Sequence, residues 1–251
     1  VEEVENEALK NAGYTTTTEN GDGYTIIKNI TTRVEISKVE LSGSEEIAGA
    51  ELESLDGETM DKVVSCTSAG VPYVATNRVP DKEYILREIS APAGYLKAED
   101  ITFKVASDGT TTKVKMEDAP TEVDVKKTDI TENELAGATL QILDSEGKEV
   151  IREWISGEET GVCKKLAIGK EYILREAEAP AGYLRAEDIR FKVNEVGKVE
   201  IGEKVQDTNT ITMVDKPQEI ELGKVDADDT SVYVAGAELE VRVASGDTYT
   251  G

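Results

Sequence analysis

The sequence predicts an all-β chain, built of small sandwich domains repeated in tandem as a rod, on three observations. Short runs rich in Val, Ile, Thr and Tyr alternate with turn signals at Asp56-Gly57, Asp108-Gly109, Glu146-Gly147 and Val196-Gly197, which is the spacing of consecutive short strands. Helical periodicity is nearly absent. The chain also repeats itself: residues 83–105, EYILREISAPAGYLKAEDITFKV, return at 171–193 as EYILREAEAPAGYLRAEDIRFKV, identical at 19 of 23 positions at an offset of 88. Regular short strands in a unit of about 90 residues argue for a small sandwich, and a fixed internal period argues for an array of them.

Each unit follows one order of elements. An opening strand comes first, in VEISKVELSGSEEIAGAEL from Val34 and VDVKKTDITENELAGATL from Val123, with a third relative, IELGKVDADDTSVYVAGAEL, from Ile220. The Ala-Gly-Ala stretch within these runs leads the second strand. The tyrosine-rich strand follows, and Pro92, Gly94, Pro180 and Gly182 stop it, because neither residue type continues regular structure there. A closing strand ends in Asp and then Pro, VKMEDAP to Pro120 and ITMVDKP to Pro217. Complete units are therefore expected at 31–120 and 121–217. Residues 1–30 read as the second half of an earlier, more divergent unit and 218–251 as the first half of a later one, so the chain opens in mid-domain, as a fragment does. The linkers, Ala119 to Glu122 and Lys216 to Glu219, are short and hold one Pro each, which predicts stiff junctions.

Composition removes whole classes of function. Among 251 residues there are 28 Lys and Arg against 52 Asp and Glu, a net charge of −24, and such a surface repels nucleic acid and anionic lipid. Each complete unit carries −7, so the charge is a solvated face throughout and not an acidic tail. No apolar run approaches the roughly 20 residues of a membrane helix, and no targeting segment is visible. Histidine is absent, which removes the usual proton shuttle, the usual zinc ligand and the Ser-His-Asp and Cys-His arrangements together. Cys66 and Cys163 lie 97 residues apart without metal-ligand spacing or a base beside them, and read as small apolar residues. The acidic loops lack the spacing of a Ca²⁺ loop. No metal or other cofactor is called for.

Strand alternation puts three polar residues of each unit on the wrong face. Val34 and Ile36 share a face with Lys38, Tyr84 and Leu86 with Glu88, and Val114 and Met116 with Asp118, because side chains alternate with period two. The second unit repeats this with Lys127, Glu176 and Asp215, and turns the rival Lys126 outward. Buried charges must neutralise, pair or react. One reading is an ion-paired triad that sets register. The other is covalent: desolvation favours a neutral amine beside a protonated acid, the amine attacks the aspartate side-chain carbonyl, the glutamate shuttles the proton, and water leaves to give an amide. Trp154 reads as a core aromatic, and Tyr95 and Tyr183 as structural corner residues.

KVELSGSEEIAGAEL, YILREISAPAGYL and VKMEDAP resemble the Cna B-type or SpaA-type, prealbumin-like and Ig-like, domains of Gram-positive surface adhesins and pilins. The resemblance covers both complete units and, more weakly, both ends, and its most specific motif is the run Tyr84–Tyr95, repeated as Tyr172–Tyr183. It implies a self-formed isopeptide bond from the first-strand lysine to an Asn or Asp of the last strand, catalysed by the glutamate: Lys38 to Asp118 with Glu88, and Lys127 to Asp215 with Glu176. Asp in place of the commoner Asn means that water leaves and not ammonia. Ile89 and Ala177 stand where the motif often has Thr. In the terminal parts the matching positions are Glu3, Asn29 and Lys224, without a full triad in either.

The resemblance implies a structural stalk on the surface or cell wall of a Gram-positive bacterium, holding a binding head outward, with neighbouring domains of the same chain as its partners. The alternative is a module that itself contacts a host matrix protein or glycan. Near-identical units without a variable aromatic loop favour the stalk. Nothing in the sequence suggests a pocket for a foreign substrate, so the chain is not read as an enzyme, and the one reaction expected is intramolecular and single-turnover.

Overall fold

The computed structural model describes residues 6–157, 161–241, 244–245 and 248–249. The chain divides into two compact units, Val1–Lys216 and Pro217–Gly251. The larger one begins with a short helix, α1 (Glu7–Asn11), capped by Asn6, whose side-chain oxygen accepts from the Ala8 N–H at 3.0 Å. That cap satisfies a donor the first turn leaves free. Five residues are too few to register as helical periodicity, so the helix was not legible beforehand. It leads into an antiparallel hairpin of β1 (Tyr14–Gly21) and β2 (Tyr24–Thr31).

The next 88 or so residues form a sandwich. Its strands are β3 (Arg33–Glu40), β4 (Ala48–Asp56), β5 (Lys62–Ala69), β6 (Tyr73–Thr76), β7 (Glu83–Ser90), β8 (Ile101–Lys104) and β9 (Thr111–Asp118). They order as β6-β3-β9 in one sheet and β5-β4-β7-β8 in the other. The core between them is Val34, Ile36, Leu52, Tyr84, Leu86, Val114 and Met116 with smaller neighbours, the inward half of each alternating strand.

A second sandwich repeats the plan. Its strands are β10 (Glu122–Asp129), β11 (Thr139–Asp144), β12 (Val150–Ile155), β13 (Gly161–Lys164), β14 (Glu171–Glu178), β15 (Tyr183–Leu184), β16 (Ile189–Val193), β17 (Val199–Ile201), β18 (Lys204–Val205) and β19 (Thr210–Pro217). The sheets run β13-β10-β19-β15 and β12-β11-β14-β16-β17-β18. Cys163 lies in its core and Trp154 packs against that core, partly buried. Cys66 is half-buried in the first sandwich, and both thiols are free.

First and last strands of each sandwich lie side by side and parallel. β3 pairs with β9, with Lys38 opposite Met116, and β10 pairs with β19, with Lys127 opposite Met213. Parallel neighbours need a long crossover, and here the crossover is the rest of the domain.

The smaller unit departs from expectation. An opening strand and an Ala-Gly-Ala strand were expected from Ile220, but among the described residues 218–241 pairing is confined to an isolated bridge, Val225 to Tyr233. Two-residue strands follow, β20 (Ala244–Ser245) and β21 (Thr248–Tyr249). The physical reason is pairing. In the two sandwiches the opening strand is held by β9 or β19, and these residues contain no counterpart of either.

Candidate functional site

Three strands bring one amine and two carboxyls into the centre of each sandwich. In the first, Lys38 ends the inward run of β3, Glu88 that of β7, and Asp118 that of β9. Their exposures are 1 %, 0 % and 0 %; for Lys127, Glu176 and Asp215 they are 2 %, 0 % and 0 %. These are among the most enclosed side chains of the molecule, a place charged residues occupy only when paired. Lys126, one residue away, is exposed.

The geometry is the same twice. Lys38 Nζ contacts Asp118 Oδ1 and lies 3.1 Å from Glu88 Oε1; Lys127 Nζ contacts Asp215 Oδ1 and lies 3.0 Å from Glu176 Oε1. The other glutamate oxygen is fixed by the backbone: Ala98 N–H donates to Glu88 Oε2, and Ala186 N–H to Glu176 Oε2, both at 2.7 Å. Glu88 Oε1 and Glu176 Oε1 face only the lysine ammonium, and Asp118 Oδ2 and Asp215 Oδ2 accept no hydrogen bond although they are buried, which is costly for a carboxylate oxygen.

Burial pushes the Asp118 carboxyl up to about 6 from an ordinary 3.8, and neighbouring Glu88 adds to the rise while Lys38 opposes it. Asp215 is raised for the same reasons in the same order. A carboxyl that holds its proton above the ordinary carboxylate range, in contact with an amine and facing a second carboxyl, has the parts that amide formation requires: an acyl carbon, a nucleophile and a proton carrier. Each sandwich holds one such set.

The backbone donors Ala98 and Ala186 were not singled out from the sequence. Their signal was nevertheless present in the Ala-Glu-Asp that both copies of the repeat keep at 98–100 and 186–188. The Asp of the same triplet pairs with an arginine of the tyrosine-rich strand through two of its nitrogens, Asp100 with Arg87 and Asp188 with Arg175, at 2.7–3.1 Å. That fork ties the segment carrying the alanine back onto β7 or β14.

The described terminal positions, Asn29 and Lys224, form no such set. Asn29 lies exposed on β2, where its side chain accepts from Thr16 Oγ1 at 2.9 Å, and Lys224 is exposed in the smaller unit. Glu3 lies outside the described residues. Among the described residues no group of three His, Cys, Asp or Glu is placed to hold a metal, and no helix is long and apolar enough to cross a membrane. Tyr95 is buried, and its hydroxyl donates to Glu40 Oε2 at 2.8 Å.

The chain matches the family model described as SpaA, prealbumin-like fold domain, twice, over residues 32–120 and 121–207. No curated protein matches it. Among solved structures it is similar to the Bacillus anthracis TIE protein, at 20% identity and a TM-score of 0.48 over 83% of this chain and 40% of that one. It is similar to the open conformation of the pilus adhesin SpaC from Lactobacillus rhamnosus GG, at 16% identity and 0.45 over 87% and 36%. The shaft pilin SpaA of the same organism aligns at 15% identity and 0.35 over 76% and 100%. The chain thus spans less than half the length of the first two.

Proposed function

The chain belongs to the SpaA family of prealbumin-like domains, a structural fold of Gram-positive pilins and adhesins, and on that premise we propose that it is a stalk segment of a cell-wall-anchored surface adhesin or pilin-like protein. Complete domains at 31–120 and 121–217 are flanked by parts of neighbouring ones, and each complete domain closes itself with a Lys–Asp isopeptide bond. The observation that carries this reading is the buried Lys–Glu–Asp set, repeated with the same contacts between parallel terminal strands.

The reaction balances within the three side chains. Lys38 as an ammonium passes one proton to the Glu88 carboxylate, and the free amine attacks Cγ of protonated Asp118. A C–N bond forms, a C–O bond breaks, and the hydroxyl leaves with a second amine proton as water. Glu88 ends as a neutral acid, so a cluster of buried charges becomes an uncharged amide beside a carboxylic acid. In the second domain Lys127, Glu176 and Asp215 take the same parts.

The bond matters for load. Tension entering at Arg33 runs along β3 to Lys38, crosses to Asp118, 80 positions on, and leaves at the linker, bypassing the chain between them; in the second domain the crossing spans 88 positions. By analogy with disulfides, closing such a loop restricts the unfolded chain by about 4 kcal/mol. Unlike a disulfide, the amide resists reduction. Intact mass tests the reading. Two bonds remove two waters, about 36 Da, and Glu88→Gln or Glu176→Gln each restores about 18 Da. An unshifted mass overturns it and leaves only ion pairs.

A further inference from the structure

The two sandwiches meet through a joint that has a second copy in the molecule. At the first, Thr121 sits between the domains, 0 % exposed. Its N–H donates to the Gly94 carbonyl at 2.9 Å, its hydroxyl donates to the Leu166 carbonyl at 2.7 Å, and its carbonyl accepts from the Lys165 N–H at 2.9 Å. One threonine thus ties the Ala-Gly-Tyr corner of the preceding domain to a loop of the following one. Gly94 has φ +88° and Lys165 φ +64°, and a Cβ on Gly94 would stand 2.7 Å from the Lys165 carbonyl oxygen. Only glycine permits that approach and that backbone.

The same contacts recur 81 to 89 residues earlier. Thr32, 2 % exposed, donates its N–H to the Gly13 carbonyl at 2.8 Å and its hydroxyl to the Arg78 carbonyl at 2.7 Å, while its carbonyl accepts from Asn77 N–H at 3.3 Å. Gly13 has φ +80° and Asn77 φ +60°, and a Cβ on Gly13 would stand 2.3 Å from Asn77 carbon. Residues 12–14 are again Ala-Gly-Tyr. The α1 segment therefore presents to the first sandwich the surface that the first presents to the second.

The two joints differ at one place. Lys165 reaches Glu40 Oε2 at 2.6 Å and stands over the Tyr95 ring at 5.1 Å, whereas Asn77 donates through its side chain to the Ala12 carbonyl at 3.2 Å. Lys165 is exposed and Glu40 is partly exposed, and ion pairs at the surface hold little. Three backbone-centred bonds on a buried threonine are the part common to both joints.

We propose that this glycine–threonine–positive-φ triplet is a docking interface for the next domain of the same family, which sets every domain at one fixed orientation to its predecessor. Its partner is a homologous domain that offers a buried linker threonine and a residue of positive φ immediately after an edge strand, as Asn77 follows β6 and Lys165 follows β13. The joint makes the array stiff without a covalent link between domains, and it acts independently of the crosslinks inside them.

The test is residual dipolar coupling on the full chain, comparing the alignment of residues 33–118 with that of 122–216. Wild type is expected to show one shared alignment tensor. Thr121→Val, which keeps shape and loses the hydroxyl, is expected to give two tensors of unequal magnitude, with Thr121→Ser restoring one. Gly94→Ala is the second variant and strikes from the other side of the joint, while Lys165→Ala is expected to leave the shared tensor. Amide shifts inside each domain report that both remain folded. Two independent tensors in wild type overturn the proposal, as does a shared tensor that survives both Thr121→Val and Gly94→Ala. Neither result depends on whether the isopeptide bonds form, which the mass reports separately.

Discussion

A buried carboxyl whose proton is held to about pH 6 leaves a thermodynamic trace. Folded Asp118 keeps a proton that the unfolded chain releases near 3.8, so more protons are bound in the native state between those values, and stability falls as pH rises through them. Glu88→Gln leaves Asp118 uncrosslinked and free to titrate. Its first domain is expected to lose stability from about pH 4 to at most about pH 6, because desolvation, the largest cause of the rise, remains while the Glu88 contribution is gone. In the crosslinked chain Asp118 no longer titrates and that slope disappears. Urea unfolding across a pH series checks both. A core position offers the contrast: Leu86→Ala, fully buried in the first sandwich, is expected to cost about 2–5 kcal/mol, read from the same unfolding curves.

Between strands, the decisive contact is made by a backbone group. Ala98 N–H holds one oxygen of Glu88 and so aims the other at Lys38. Ala98→Pro removes that donor and is expected to slow crosslinking in the first domain alone, seen as about 18 Da regained in freshly folded protein. Ala98→Gly keeps the N–H and is expected to keep the bond. If the proline variant crosslinks as fast as wild type, the donor has no positioning role. The strand alternation that buries Lys38, Glu88 and Asp118 was readable directly from Val34-Ile36, Tyr84-Leu86 and Val114-Met116. The Ala98 donor was not, because a main-chain N–H has no side-chain signature of its own; the Ala-Glu-Asp kept in both copies marks only its place, and its partner lies on β7.

Across the whole chain, crosslinks and joints divide the mechanical work. With both bonds formed, pulling on the termini is expected to show no unfolding step from either sandwich. The double variant Glu88→Gln, Glu176→Gln is expected to show two, each releasing about 80 residues and therefore roughly 270 Å of chain. Single-molecule extension reads this directly, and equal traces for the two proteins contradict the load path through Lys38 and Asp118.

The sequence by itself determined the repeat, the all-β class, the family and the inward face of each long strand. These are local or periodic properties: a 23-residue identity, a period of two, a Pro-Gly break. The run from Ile220 matches the apolar pattern of β3 and β10 but forms no strand among the described residues, because a strand is completed by its partner and not by its own side chains. The meeting of Lys38 with Asp118 was expected from the sequence; only the tertiary structure decided the parallel register of first and last strands and the alanine N–H that fixes one carboxyl oxygen of Glu88. It alone placed Thr32 and Thr121 as buried ties between neighbours. Such facts depend on long-range pairing and on backbone hydrogen bonds, to which every residue type but proline contributes alike.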